Sequence, residues 1–262
     1  MDLKLRDRHV AIAGATGGLG AACAHAFAAE GARLSLLGRS AEKLAALARE
    51  LSSAGGQVVG GIRTDLTDAA STDDAIASAV RQGGPIDVLV SAAGNAQGGV
   101  FTELSDADWK RNLELKLFGT IRLLRAALPG MQARRGGRIV VIVGNSAKLP
   151  EPGMLPGAAA NSALLAIVRG LAEEVGPQGI CINAVNPGPV RSSRWDQQMA
   201  AIAAQEKRGV AAVEAPFLAK SALRKLATAE QVAAQVLFLA SELAGHTTGT
   251  SITVDGGSVK TP

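Results

Sequence analysis

The chain has 262 residues and a net charge of +4; 47% of the residues are hydrophobic, only 3% aromatic, and tyrosine is absent. That much apolar material excludes a disordered chain and suffices for one large core or two small ones. The mild positive charge has no aromatic interleaving: Arg134, Arg135 and Arg138 cluster in a Gly-containing turn, read as a solvated loop, so no nucleic-acid partner is expected.

From Met1 the sequence passes almost at once into an apolar run, so no signal peptide is expected. Strands are predicted over 9–13, 33–37, 58–62, 88–91, 138–143, 180–185 and 251–254, with Ala-rich helical segments between them, as over 19–30 and 41–54. Gly31 and Gly55 follow those two helices, where a left-handed residue closes the last turn. Thr228 and Gln231 have the spacing of a capping box ahead of an apolar stretch, 232–239. Cys23 and Cys181 lie far apart in apolar segments. They read as core residues of a reduced, cytoplasmic protein, with no disulfide and no metal site. No apolar stretch reads as long and uninterrupted enough to span a bilayer, so no membrane partner is expected. Strand–helix alternation without linker or repeat predicts one α/β domain over 1–262, a doubly wound parallel sheet of about seven strands with helices on both faces. The longest interruption, about 191–227, carries Trp195, Met199, Pro216 and Phe217; it reads as a substrate lid, or else as a packed helical pair or an oligomer contact.

After the first strand comes Gly14-Ala15-Thr16-Gly17-Gly18-Leu19-Gly20, running directly into a helix. Glycine lets backbone approach a diphosphate closely, and the free N–H groups and positive dipole end of the helix attract it. With a strand before and a helix after, this is a dinucleotide-binding, Rossmann-type signature. The second strand ends in Leu37-Gly38-Arg39-Ser40, with no carboxylate until Glu42. A carboxylate there would suit the ribose hydroxyls of NAD(H). Arg39 instead suits a 2′-phosphate, so NADP(H) is preferred and NAD(H) remains possible.

These residues resemble the short-chain dehydrogenase/reductase family over nearly the whole chain. The Gly14/Gly18/Gly20 spacing matches that family's phosphate loop, which places Thr16, Gly17 and Leu19 at the cofactor too. Thr64-Asp65-Leu66 looks like its adenine-contacting segment, and Ser91-Ala92-Ala93-Gly94 stands where it has Asn-Asn-Ala-Gly. Asn186-Pro187-Gly188-Pro189-Val190, with Ser192, is similar to its loop near the nicotinamide, and Val254-Asp255-Gly256-Gly257 to its closing strand. The resemblance implies cofactor contacts from Asp65, Leu66, Ser91, Ala93, Gly94, Pro187, Gly188, Val190 and Ser192. It also implies a dimer or tetramer built through the helical segments near 109–128 and 158–175.

The family's catalytic tetrad is Asn, Ser, Tyr and Lys. Counting from neighbouring motifs, those positions fall on Lys116, Gly144, Gly157 and Asn161, so all four are substituted. Gly157 has no proton to give and Gly144 no hydroxyl. Asn161 could still hydrogen-bond the nicotinamide ribose. Lys116 and Asn161 look like an exchange of charge between two neighbouring positions, which makes Lys116 a candidate acid or oxyanion stabiliser. The alternative is a lysine on a helix edge facing solvent. Ser146, with Asn145 and Lys148, follows the fifth strand and could line the pocket. Two functions follow: an NADP(H)-dependent oxidoreductase acting on a small carbonyl, alcohol or activated alkene by a non-standard proton route, or a catalytically silent NADP(H)-binding sensor or scaffold.

Overall fold

The computed structural model describes residues 2–94 and 98–260, and of Arg194 the backbone only. Among the described residues the strands are β1 (His9–Ala13), β2 (Arg33–Gly38), β3 (Gln57–Arg63), β4 (Val88–Ser91), β5 (Gly137–Ile142), β6 (Ile180–Pro187) and β7 (Ser251–Val254). They form one seven-stranded sheet in the order β3-β2-β1-β4-β5-β6-β7. Every pairing is parallel, for example Ala13 opposite both Leu37 and Ser91. β1, β4 and β5 are buried almost throughout, as expected of parallel strands covered on both sides.

Two apolar layers flank the sheet. On one face α1 (Gly18–Ala29), α2 (Ala41–Ser53) and α9 (Ala229–Ala240) bury Phe27, Leu44, Leu51 and Val236 against Val10, Ile12, Leu34 and Val140. On the other, α3 (Ala69–Gly83), α5 (Gly119–Ala133) and α6 (Leu155–Val175) cover Ala11, Leu89, Ile139 and Val141 with Ile76, Leu123, Leu164 and Val168. Each fully buried Val, Leu or Ile contributes about 1.5–3 kcal/mol. α6 with its terminal turn is, by length and composition, apolar enough to cross a bilayer, which the sequence reading missed. In the fold it buries one side against the sheet instead. Gly31 and Gly55 take positive φ after α1 and α2, and Thr228 and Gln231 form the reciprocal cap of α9. Cys23 and Cys181 are buried free thiols, and burial pushes the Cys23 thiol up to about 12.

The chain reverses direction across the sheet between β1 and β4, opening a crevice at the carboxyl ends of the strands. Helix N-termini face that end and helix C-termini the opposite one. Arginines clothe the latter. Arg33 donates to Gly83 O at 2.7 Å, Arg134 to Ile86 O at 2.6 Å and Arg135 to Pro177 O at 3.1 Å. Cations belong at such carbonyl-rich ends. Arg134 and Arg135 are exposed, as a solvated loop implies, and also donate to main-chain oxygens.

At the same end His9 is fully buried. Its Nδ1 lies 2.9 Å from Gly84 O and its Nε2 2.8 Å from Ser35 Oγ, which suits a neutral ring donating from Nδ1 and accepting at Nε2. Desolvation, and secondarily Arg33, hold its pKa below the ordinary value of 6.5 despite the carbonyls of Gly84 and Pro85. The unfolded chain therefore binds the proton more readily. His9 adds stability above about pH 6.5 that is lost as pH falls toward the folded-state value. The melting temperature should decline below pH 6.5, and the decline should be shallower in His9→Gln; parallel melting curves in wild type and variant would contradict this.

Candidate functional site

Two cavities lie in the crevice. The first, about 270 Å³, is walled by Gly14, Thr16 and Gly17 of the first loop, Arg39, Ser40 and Lys43 beyond β2, Thr64 and Leu66 beyond β3, and Ala93 and Gly94 beyond β4. The second, about 240 Å³, lies beyond β5 and β6; Gly144, Ser146, Gly157, Pro187 and Gly188 are among its walls.

The glycine loop works through close approach. A Cβ on Gly20 would stand 2.1 Å from Gly14 O, and one on Gly14, at φ +77°, 2.7 Å from Ala93 N. The first turn of α1 is therefore pressed against the ends of β1 and β4. A Cβ on Gly18 would meet no atom within 4 Å. Gly18 begins α1, whose first turn has no side-chain cap and no acidic residue. Its N–H groups and dipole end, equivalent to roughly half a positive charge, are open to an anion. A dinucleotide diphosphate fits that cradle.

At the far end of the first cavity, Ser40 Oγ accepts from Lys43 N and caps α2. Lys43 thus joins Arg39 and Ser40 as a second cation, one turn away and invisible to a motif scan. Arg63 closes β3 opposite Gly38 and shares a neighbouring hollow with Arg39, Asp65 and Ser71. The Asp65 carboxyl is held below the usual range mainly by the Thr67 N–H and hydroxyl, with Arg39 and Arg63 adding to it. Asp65 lines this outer hollow, whereas Leu66 lines the first cavity.

Other predicted residues support the walls. Ser91 is 1% exposed, with its hydroxyl 3.1 Å from Thr120 Oγ1, so it braces the strand end beneath Ala93 and Gly94. Val190 forms an isolated bridge with Ala227, and Ser192 caps α7 (Ser193–Glu206) by accepting from Trp195 N. Gly20 packs on Gly14, and Leu19 packs against the α1 layer of the core.

Lys116 is placed by an irregularity that periodicity did not predict. Between α4 (Asp106–Leu113) and α5, residues Glu114–Phe118 form a π-helical turn, a feature common at functional sites. The Lys116 stem runs past Gly94, where a Cβ would lie 3.1 Å from its Cδ. Its Nζ donates to Val143 O at 2.5 Å. It points inward, not to solvent. The next residue is Gly144, and there a Cβ would lie 3.0 Å from Asn161 Nδ2. Asn161 donates to Ser146 Oγ at 2.8 Å, while its buried Oδ1 has no partner. Asn186, fully buried at the end of β6, leaves both amide atoms unpaired. Lys116, Asn161 and Ser146 thus converge on Val143–Gly144 from three separate elements.

The segment from Arg191 onward is a packed helical pair, α7 and α8 (Val210–Lys220), with its own small core of Trp195, Met199, Ala203 and Val213. Trp195 is 9% exposed, donates from Nε1 to Glu214 at 2.6 Å and stacks edge-on with Phe217. It is occupied inside the pair. Phe217 and Lys220 of α8 reach the second cavity.

Comparison with known proteins decides the family. Residues 14–259 match the family described as Enoyl-(Acyl carrier protein) reductase. The chain belongs to the short-chain dehydrogenase/reductase family of oxidoreductases. It is 32% identical over 270 residues to the uncharacterized oxidoreductase YvrD of Bacillus subtilis, covering 99% of each chain. It is 34% identical over 257 residues to 2-(S)-hydroxypropyl-CoM dehydrogenase 3 of Xanthobacter autotrophicus, covering 98% of each. Its fold superposes with a TM-score of 0.95 on L-sorbose reductase of Gluconobacter frateurii, solved with NADPH and L-sorbose, at 28% identity and 100% coverage of both.

The glycines separate fold from cradle. Gly20→Ala should destabilise the protein by about 1–3 kcal/mol or more through backbone overlap. Gly18→Val should change stability by no more than about 1 kcal/mol, yet weaken nicotinamide-dinucleotide binding about tenfold or more. Denaturant melts and fluorescence titrations of both variants test the contrast; unchanged binding in a folded Gly18→Val protein would remove the cradle.

Proposed function

We propose that the protein is an NADP(H)-dependent oxidoreductase acting on a small carbonyl, alcohol or activated alkene in a reducing, cytoplasmic setting. The observation that carries this reading is the open space over Gly18 at the N-terminus of α1, at the head of a cleft that ends in Arg39, Ser40 and Lys43. The sorbose reductase solved with NADPH shares the fold around such a cleft, which supports the cofactor preference. A bound NADPH would supply hydride from its nicotinamide. Gly14, Thr16, Gly17, Gly18 and Leu19 would take the diphosphate, Arg39 with Ser40 the 2′-phosphate, and Asp65 with Leu66 the adenine side. Ala93 and Gly94, braced by Ser91 and Gly20, would border the nicotinamide ribose, with Pro187, Gly188, Val190 and Ser192 on the opposite wall. NAD(H) would lack the phosphate that Arg39 and Lys43 await.

Lys116 takes the role of electrostatic anchor. Its ammonium stands at the end of β5, beside Gly144, where it can stabilise a developing oxyanion or release a proton from Nζ. The unpaired Asn161 Oδ1 is ready to accept a ribose hydroxyl, and Ser146 holds the other end of that amide. Helices α7 and α8 act as the lid, with Phe217 and Lys220 rather than Trp195 as its inner surface. A positioned proton donor accounts for about 10²–10⁴ in rate. Lys116→Ala should therefore lower kcat about a hundredfold while leaving the NADPH titration unchanged, and Arg39→Ala should weaken NADPH more than NADH. Unaltered turnover in Lys116→Ala would remove that residue's role, and a folded protein with no affinity for either nucleotide would end the reading.

The second reading, a silent NADP(H)-binding sensor or scaffold, is favoured by one observation: no tyrosine exists in the chain, and Gly144 and Gly157 leave the second cavity without hydroxyls at those positions. Hydride transfer to one member of a carbonyl and alkene panel eliminates it. For assembly, we place a second copy against the α4–α5 and α6 side, where Phe118 is 46% exposed. Light scattering should give a multiple of the 26.5 kDa chain, and Phe118→Asp should reduce it; a mass of one subunit for the wild type would rule this out.

A further inference from the structure

The second cavity contains charge as well as apolar wall. Around Leu149, Met154 and Phe217 its formally charged wall residues, among the described residues, are Glu151 and Lys220. Lys220 Nζ lies 2.6 Å from Glu151 Oε1, joining the end of α8 to the segment before α6 across 69 positions of sequence. We propose that this cavity takes a substrate bearing a carboxylate, which Lys220 binds in place of Glu151, so that Glu151 is a built-in stand-in for the substrate's own acid group. The proposal rests on the reading of the crevice as an oxidoreductase site and adds to it the class of substrate.

Four observations support the exchange. The pair is half open to water, with side-chain exposures of 51% for Lys220 and 37% for Glu151, so it is weak and separates at little cost. Lys220 keeps its place without Glu151. Its ammonium lies 5.5 Å from the Phe217 ring centroid, a cation–π distance, and Phe217 is fixed edge-on against Trp195. Lysine is also the favoured charge at a helix C-terminus, where Lys220 ends α8, so the local field holds its ammonium there without Glu151. Glu151, by contrast, lies in an irregular stretch, tied by its carbonyl to Met154 N at 3.1 Å, and its side chain can swing out while that bond stays. Finally, the cavity floor includes Met154 and Gly157, in the first turn of α6, which has neither a side-chain cap nor an acidic residue and so adds positive potential.

The volume of about 240 Å³ falls below the roughly 300–1,000 Å³ of pockets for drug-sized ligands, and the wall beyond the charged pair is largely apolar. A short aliphatic oxo or hydroxy acid meets both demands: the chain packs on Leu149, Met154 and Phe217, and the carboxylate reaches Lys220. A pocket of this kind selects against the neutral analogue because Lys220 would lose a partner on binding it.

The test is calorimetric titration of octanoate and octanamide into the full-length protein, with and without NADP⁺, alongside an independent fluorescence titration of NADPH. Wild type should prefer octanoate. Glu151→Gln should tighten octanoate about tenfold by releasing Lys220, Lys220→Met should weaken it about tenfold or more, and Lys220→Arg should retain it, with octanamide indifferent to all three. Octanoate bound no more tightly than octanamide by wild type, or both probes shifting alike in Glu151→Gln, overturns the proposal. If Lys220→Met does not fold, Glu151→Gln and Lys220→Arg still decide. A normal NADPH titration with no charge preference sinks the carboxylate site alone. A silent NADPH titration beside the expected octanoate pattern sinks the oxidoreductase reading and leaves the anion site standing.

Discussion

The contact between the first turn of α1 and the end of β1 sets the geometry of everything around it. Gly20 sits so close to the Gly14 carbonyl that no side chain can intervene, and Gly14 is equally tight against Ala93. Because these backbones touch, the N-terminus of α1 opens directly over the point where the sheet changes direction. Its first-turn N–H groups then have no side-chain cap among the described residues. An anion there would meet open donors and the positive end of the dipole.

The same logic runs through the molecule as an asymmetry between the two ends of the sheet. At the amino ends, where helix carbonyls collect, arginines from several elements donate to main-chain oxygens and His9 remains neutral and buried. At the carboxyl ends, cations line the crevice: Arg39 and Lys43 at one extreme, Lys116 in the middle, Lys220 at the other. Arg39 and Lys43 line the first cavity, and Lys220 faces the second. A chain with a net charge of only +4 thereby gathers several of its cations at the crevice.

The residues around the end of β5 fit this picture. Gly144 and Gly157 line the second cavity without side chains, and a charge reaches the end of β5 from the α4–α5 junction. The π-helical turn over Glu114–Phe118 is the device, since one wide turn rotates Lys116 off the helix edge and toward β5. Asn161 is left with half of its amide bonded and half unpaired, a costly arrangement in a buried group unless a partner arrives. The α7–α8 pair, packed around Trp195, holds Phe217 and Lys220 at the cavity as a unit.

The sequence by itself determined what short-range chemistry dictates. The strands 9–13, 88–91 and 251–254 were legible to the residue, as were the capping box at Thr228 and the left-handed Gly31 and Gly55, because each depends on neighbours within a few positions. The glycine turn between β1 and α1 was legible for the same reason. Only the tertiary structure decided which way Lys116 points, that Ser91 braces Thr120, that Trp195 is absorbed inside a helical pair, and that Lys43 and Arg63 stand near Arg39. It alone brought Glu151 to Lys220. Those relations join residues whose separation along the chain carries no information about their distance in space, and they exist only once the two apolar layers have closed on the sheet.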